Sequence, residues 1–216
     1  MSEHPVCRIP QRGFTLVELA IALTIIAILA SGALFAFSVQ IERSRRLESR
    51  NQIDDAREAL LLYAAANQSP AGALPCPAAS AESGIAAASC TGADVTRGFL
   101  PWQTLGLPQT DGFGQTLRYA VSCKYVKTPS LASEGDVNIR SKDASGTETS
   151  LSAANSVALA IWSVGGDGVD ASPTSGSNVI GQSPADDQVV WVSRYIVLGR
   201  LLAAGHNLSS AATLCP

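Results

Sequence analysis

Residues 14 to 39, FTLVELAIALTIIAILASGALFAFSV, form one apolar run interrupted by a single charge, Glu18. At about 1.5 Å of rise per residue, a helix of this length exceeds the roughly 30 Å hydrocarbon core of a bilayer. The run is long enough to span a membrane. A secretory signal peptide accounts for it poorly: its apolar region is about 7 to 15 residues long and ends at a small-residue cleavage site. An ordinary single-pass anchor accounts poorly for Glu18, because a carboxylate in hydrocarbon is costly unless it is paired or lies near the interface.

Helical character continues past the run, since residues 40 to 68 contain neither proline nor glycine. Glu42 with Arg46 and Arg50 with Asp54 set opposite charges four residues apart, one helical turn. Leu47, Ile53, Leu60 and Tyr63, with intervening alanines, draw an apolar stripe suited to packing on a globular domain. Ser69-Pro70 and Gly72 end the helix, which is expected to lie half in lipid and half outside it.

Residues 70 to 115 hold five of the eleven prolines, with LPCP at 74 to 77 and GFLPWQTLGLP at 98 to 108. They read as ordered loop, because cysteines and Phe99, Trp102, Leu105 and Leu107 supply anchors that a solvated linker lacks. A strand is expected in TLRYAVSCKYV after the turn-forming Asp111-Gly112-Phe113-Gly114, and stronger strands at 157 to 164 and 188 to 193, rich in β-branched and aromatic residues. The polar stretch from Thr128 to Ala154 reads as a long loop or hairpin excursion, and the segment between the two strong strands as a Gly/Asp/Ser/Pro loop. Arg194 to Ala204 is a candidate helix closed by Gly205, with Tyr195, Leu198, Leu201 and Leu202 facing the sheet.

Composition narrows the function. Apolar residues make up 46% of the 216 and aromatics 6%, with alanine supplying much of the apolar count, so a light core is expected in the folded part. A net charge of -3 argues against nucleic acid, whose binding proteins normally carry a clustered basic face. Of five cysteines, Cys7 precedes the apolar run, while Cys76, Cys90, Cys123 and Cys215 follow it as an even set without CxxC spacing. That pattern favours two disulfides in an oxidising compartment over a metal site. Closeness in sequence favours Cys76 with Cys90, which leaves Cys123 with Cys215 to tie the C-terminus to a strand, and the other pairings stay open at this level.

Arg12-Gly13-Phe14-Thr15-Leu16-Val17-Glu18-Leu19, running directly into the apolar segment, resembles the type IV prepilin signature. In that family a membrane-embedded prepilin peptidase cuts after the glycine and methylates the new amino terminus. The resemblance implies cleavage between Gly13 and Phe14, N-methylation of Phe14, and loss of Cys7 with the leader. It also implies that Glu18 meets the amino terminus of a neighbouring subunit, which neutralises both charges within an apolar bundle. The expected domains are a leader at 1–13, a transmembrane helix at 14–39, an amphipathic extension at 40–68 and a periplasmic loop-and-sheet head at 69–216. The expected fold is α+β: a long N-terminal membrane-spanning helix packed on a small antiparallel β-sheet head with long loops.

Expected partners are the prepilin peptidase, other pilin or pseudopilin subunits and an inner-membrane assembly platform. The expected location is the inner membrane, single-pass with the head in the periplasm, or a filament at the cell surface. Arg43, Arg45, Arg46 and Arg50 outnumber Arg8 and Arg12, a charge count that on its own puts the head in the cytoplasm. The resemblance and the downstream cysteines favour the opposite side. The motif is shared by major and minor pilins and by secretion and competence pseudopilins, so a structural subunit and an accessory or tip subunit binding a surface, DNA or a secretion substrate both fit.

Asp167 and Asp170 in GGDGVD, with Asp186 and Asp187 before the last strand, loosely resemble the calcium loop of major pseudopilins, and four carboxylates there suit that hard cation. Solvated turn residues explain the same string. Catalysis has little basis: HExxH, GxSxG and P-loop patterns are absent, and His206, the one histidine after the leader, reads as a surface residue. The expectation is a protein that is not an enzyme.

Overall fold

A computed structural model of the chain describes residues 13, 15–90, 94–142, 145, 147–170, 179–182 and 188–215, the side chains of 32–38, 142 and 182 excepted. The leader residues 1–12, Phe14, Asp186 and Asp187 lie outside the described residues. Two compact units are present, Met1–Arg43 and Ser44–Pro216.

Helix α1 runs over Leu16–Ala66. Thr15 starts it: its backbone carbonyl accepts the Leu19 N–H at 3.1 Å and its hydroxyl accepts the Glu18 N–H at 3.2 Å. Among the described residues no helix is long and apolar enough to cross a membrane. The described side chains of the apolar run stop at Ser31 and resume at Val39.

Within the second unit, α1 buries Ser49, Ile53, Ala56, Leu60, Leu61 and Ala64. Their spacing keeps them on one face, so this part of the helix is held by packing. The expected stripe is corrected at Leu47, which is 64% exposed, and at Tyr63, which is half-buried. Past α1 come β1 (Val95–Phe99), α2 (Trp102–Leu105), β2 (Arg118–Ser122), a 3-10 turn at Cys123–Tyr125, β3 (Gly135–Asp136), β4 (Asn138–Lys142), β5 (Glu148–Ser150), β6 (Ser156–Ser163), β7 (Val179–Gln182), β8 (Gln188–Ser193) and α3 (Arg194–Ala203).

These form two sheets. The larger has the order β1-β2-β6-β3 with β8 also paired to β6, and the smaller has the order β5-β4-β7. Strand β6 is central and buried from Val157 to Ser163. Covered on both faces, it reads as a nearly continuous apolar run rather than an alternating one. On one face Tyr119, Val121, Leu159, Ile161 and Val192 pack with Ile53, Leu60, Val197 and Leu201 of the two helices. On the other, Val95, Ala120, Ala160 and Trp162 pack with Ile139 and Ile180 of the smaller sheet.

The fold is α+β, a helix packed on a predominantly antiparallel sheet, with parallel pairs at β3/β6 and β4/β7. The expected loop at 128 to 154 contains β3, β4 and β5, and β7 lies in the expected 165–187 loop. Strand β1 likewise lies inside the expected loop at 70 to 115. In α3 the inward residues are Val197, Leu198 and Leu201, whereas Tyr195 is 66% exposed and Leu202 is also exposed, so two of the four residues expected to face the sheet point away. His206 is buried at 9% exposure, its Nε2 lying 2.8 Å from the Ala65 carbonyl oxygen, which corrects its reading as a surface residue.

Candidate processing and assembly site

At the front of the described chain Gly13 is exposed, and a side chain there would meet nothing within 4 Å. A residue without a Cβ in open surroundings can be held extended by an enzyme without steric cost. Two positions on, Thr15 caps α1, and Glu18 occupies the third helical position, the Thr-x-x-Glu arrangement of a capping box. The N-terminal partial positive charge of a helix favours a carboxylate at that point. Glu18 therefore has a local structural reason to sit where it does, separate from any contact with another chain. Phe14, the residue expected to carry the methyl group, lies outside the described residues.

Residues 8–34 match the prokaryotic N-terminal methylation motif. This chain carries the prepilin-type leader of type IV pilin-like proteins. The match takes in Gly13, Phe14, Thr15 and Glu18 and ends inside α1, so it covers the start of the chain and none of its head. No curated protein and no solved structure matches the chain at a significant level.

In the head the four cysteines after the apolar run come together in two pairs, Cys76 with Cys90 and Cys123 with Cys215. The first pair spans 14 residues and the second 92, so the second ties the C-terminal segment to the 3-10 turn that follows β2. The acidic loop is differently engaged. Asp167 Oδ1 accepts the Val169 N–H at 2.8 Å, a turn within its own backbone. Asp170 Oδ1 accepts the Trp162 indole N–H at 3.2 Å, and its Oδ2 lies 3.9 Å from Arg97, whose guanidinium also sits over the Trp162 ring. Burial lowers the Arg97 pKa, and the Asp170 charge opposes that shift. Asp170 is thus turned toward a cation and an indole, and among the described residues no three acids, histidines or cysteines gather as metal ligands do.

A buried carboxylate that sequence reasoning assigned only to a turn accepts four hydrogen bonds. Asp111 Oδ1 accepts the N–H groups of Phe113 and Gln115, each at 2.9 Å, and Oδ2 accepts the hydroxyls of Ser49, at 3.0 Å, and Ser163. Three elements meet at this one side chain: α1, the 111–115 turn and β6. Gly112 allows the approach, since a Cβ there would collide with the carbonyl oxygen of Arg45. An Asp-Gly-x-Gly string before a strand is the signal that marks such a turn, while Ser49 and Ser163 give no local sign that they converge on it.

Proposed function

We propose that this chain is a subunit of a type IV pilus or a type II secretion-like filament, cleaved by prepilin peptidase after Gly13, methylated on Phe14 and assembled through packing of its N-terminal helix. The observation that carries this reading is the methylation motif at residues 8–34 leading straight into α1. The apolar run at 14–39 holds the subunit in the inner membrane, single-pass, before assembly. The two cysteine pairs favour the head on the oxidising, periplasmic side. In this role the chain builds a polymer and catalyses nothing, and its partners are the peptidase, neighbouring subunits and an assembly platform.

Mass spectrometry of the protein recovered from membranes tests the processing. The expected mature form begins at N-methylated Phe14, and one that still begins at Met1 would overturn the reading. Gly13→Ala should accumulate as uncleaved precursor. Glu18→Ala should be cleaved yet enter filaments poorly, because the carboxylate that would answer a neighbour's amine is gone while the apolar bundle remains. Normal incorporation of Glu18→Ala would remove the pairing role. Calcium binding through Asp167, Asp170, Asp186 and Asp187 is a separate proposal that rests on sequence. A rise in melting temperature on adding calcium, abolished by Asp167→Asn, supports it, and an unchanged melting temperature removes it.

A further inference from the structure

The two cysteine pairs differ in surroundings. Cys123 is fully buried, whereas Cys76 and Cys90 are both half-buried. Cys76 and Cys90 also line an open cavity of about 340 Å³, together with Tyr63, Asn67, Ser89 and Lys127. Lys127 is the one charged side chain on that wall among the described residues, and it is half-buried, its Nζ donating to the Leu214 carbonyl oxygen at 3.3 Å. The volume falls within the size range of small-molecule sites.

The loop between these cysteines does not depend on their bond for its place. The Gly84 carbonyl accepts the N–H groups of Gln103 and Thr104, the Trp102 indole donates to the Ala81 carbonyl at 3.0 Å, and the Ala86 N–H donates to the Thr104 hydroxyl at 2.9 Å. Gly84 has φ +55 and packs so closely on the Trp102 indole that a Cβ would collide with it. Ala78 bridges Phe99 through two backbone bonds. Opening the Cys76–Cys90 bond therefore leaves at least five hydrogen-bonded fastenings in place.

From these observations we propose that the Cys76–Cys90 disulfide is a thiol-exchange site, taking up a low-molecular-weight thiol that carries a carboxylate. The incoming thiolate attacks Sγ of one of the two cysteines, a new S–S bond forms there, and the Cys76–Cys90 bond breaks with its electron pair leaving on the other cysteine as thiolate. One disulfide is consumed and one formed, so no external oxidant or reductant enters. The Lys127 ammonium, on the same wall, attracts the ligand's carboxylate and favours the departing thiolate. The proposal concerns the head alone and stands whether or not the chain polymerises.

The experiment uses the full-length protein in detergent, with free thiols first alkylated by iodoacetamide. Mercaptopropionate and mercaptopropanol, similar in length and differing in charge, are added at equal thiolate concentration. The released thiol is then trapped with N-ethylmaleimide, and the products are located by peptide mass mapping. The expected product carries the ligand on one of Cys76 and Cys90 and the maleimide on the other, formed about tenfold faster than any adduct at Cys123 or Cys215. Mercaptopropionate is expected to react about fivefold faster than mercaptopropanol, the scale of one charge contact in a solvent-rich pocket. Lys127→Gln should erase that preference and Lys127→Arg should keep it, with circular dichroism confirming the fold of both. Equal rates for the two thiols on the wild type, or adducts spread evenly over all four cysteines, would overturn the proposal. Should Lys127→Gln fail to fold, the wild-type comparison of the two thiols decides by itself.

Discussion

Single side chains in the head carry consequences that their sequence neighbours do not announce. Tyr119 is fully buried and its hydroxyl has no hydrogen-bond partner among the described residues. Burial, and after it the nearby Tyr63, raises its pKa well above the ordinary 10.0, and burial likewise raises that of Tyr125, whose hydroxyl donates to the Ser133 carbonyl at 2.9 Å. The folded state therefore holds these protons more tightly than the unfolded chain. Their stabilising contribution is complete below about pH 10 and is lost as the pH climbs above it, where the unfolded phenols ionise first. Tyr119→Phe removes a buried hydroxyl without a partner and should raise stability by about 1 kcal/mol at neutral pH, with a shallower loss above pH 10, read from thermal melts across that range. Asp111 is the opposite case. Asp111→Ala strands two backbone N–H groups and two serine hydroxyls, and should cost about 3 kcal/mol in a denaturant titration. The turn around Asp111 was legible from its Gly spacing, but its partners Ser49 and Ser163 lie 62 and 52 residues away, and nothing in a linear reading brings them together.

Elements were legible where hydrophobic pattern and length agreed. The runs at 157 to 164 and 188 to 193 correspond to β6 and β8, because β-branched and aromatic residues covered by packing leave a dense signature. Strands β3, β4, β5 and β7 escaped because they are short and mostly polar, and three of them are held by parallel pairing with strands well away in sequence, which local pattern cannot register. The helix α3 was found but turned: Val197 points inward, whereas Tyr195 and Leu202 face solvent, an offset that periodicity alone tolerates. For α1 the inward residue that most tests the packing is Ile53, fully buried against the sheet. Ile53→Ala should destabilise the head by about 2 to 5 kcal/mol, whereas Leu47→Ala on the exposed side should change it by under about 0.5 kcal/mol, both measured by chemical denaturation.

At the scale of the whole molecule the head is a sheet buried on both sides, by helices on one and by the smaller sheet on the other. The Cys123–Cys215 bond closes 92 residues of chain around this arrangement. Replacing both cysteines by serine should lower the head's stability by about 2 to 4 kcal/mol, seen as a lower melting temperature that added reductant does not depress further at that pair. Division of the chain into an apolar front and a mixed head was readable from composition, while the second sheet, which gives the head its other core, was not.

The capping residue of α1 lies downstream of the proposed scissile bond. Thr15 holds the opening turn through its own hydroxyl and carbonyl. A cut between Gly13 and Phe14 would thus leave Thr15 and the bonds it makes on the retained side, so the rod's first winding would carry its own fastening into the mature subunit, beside a freed and methylated amine.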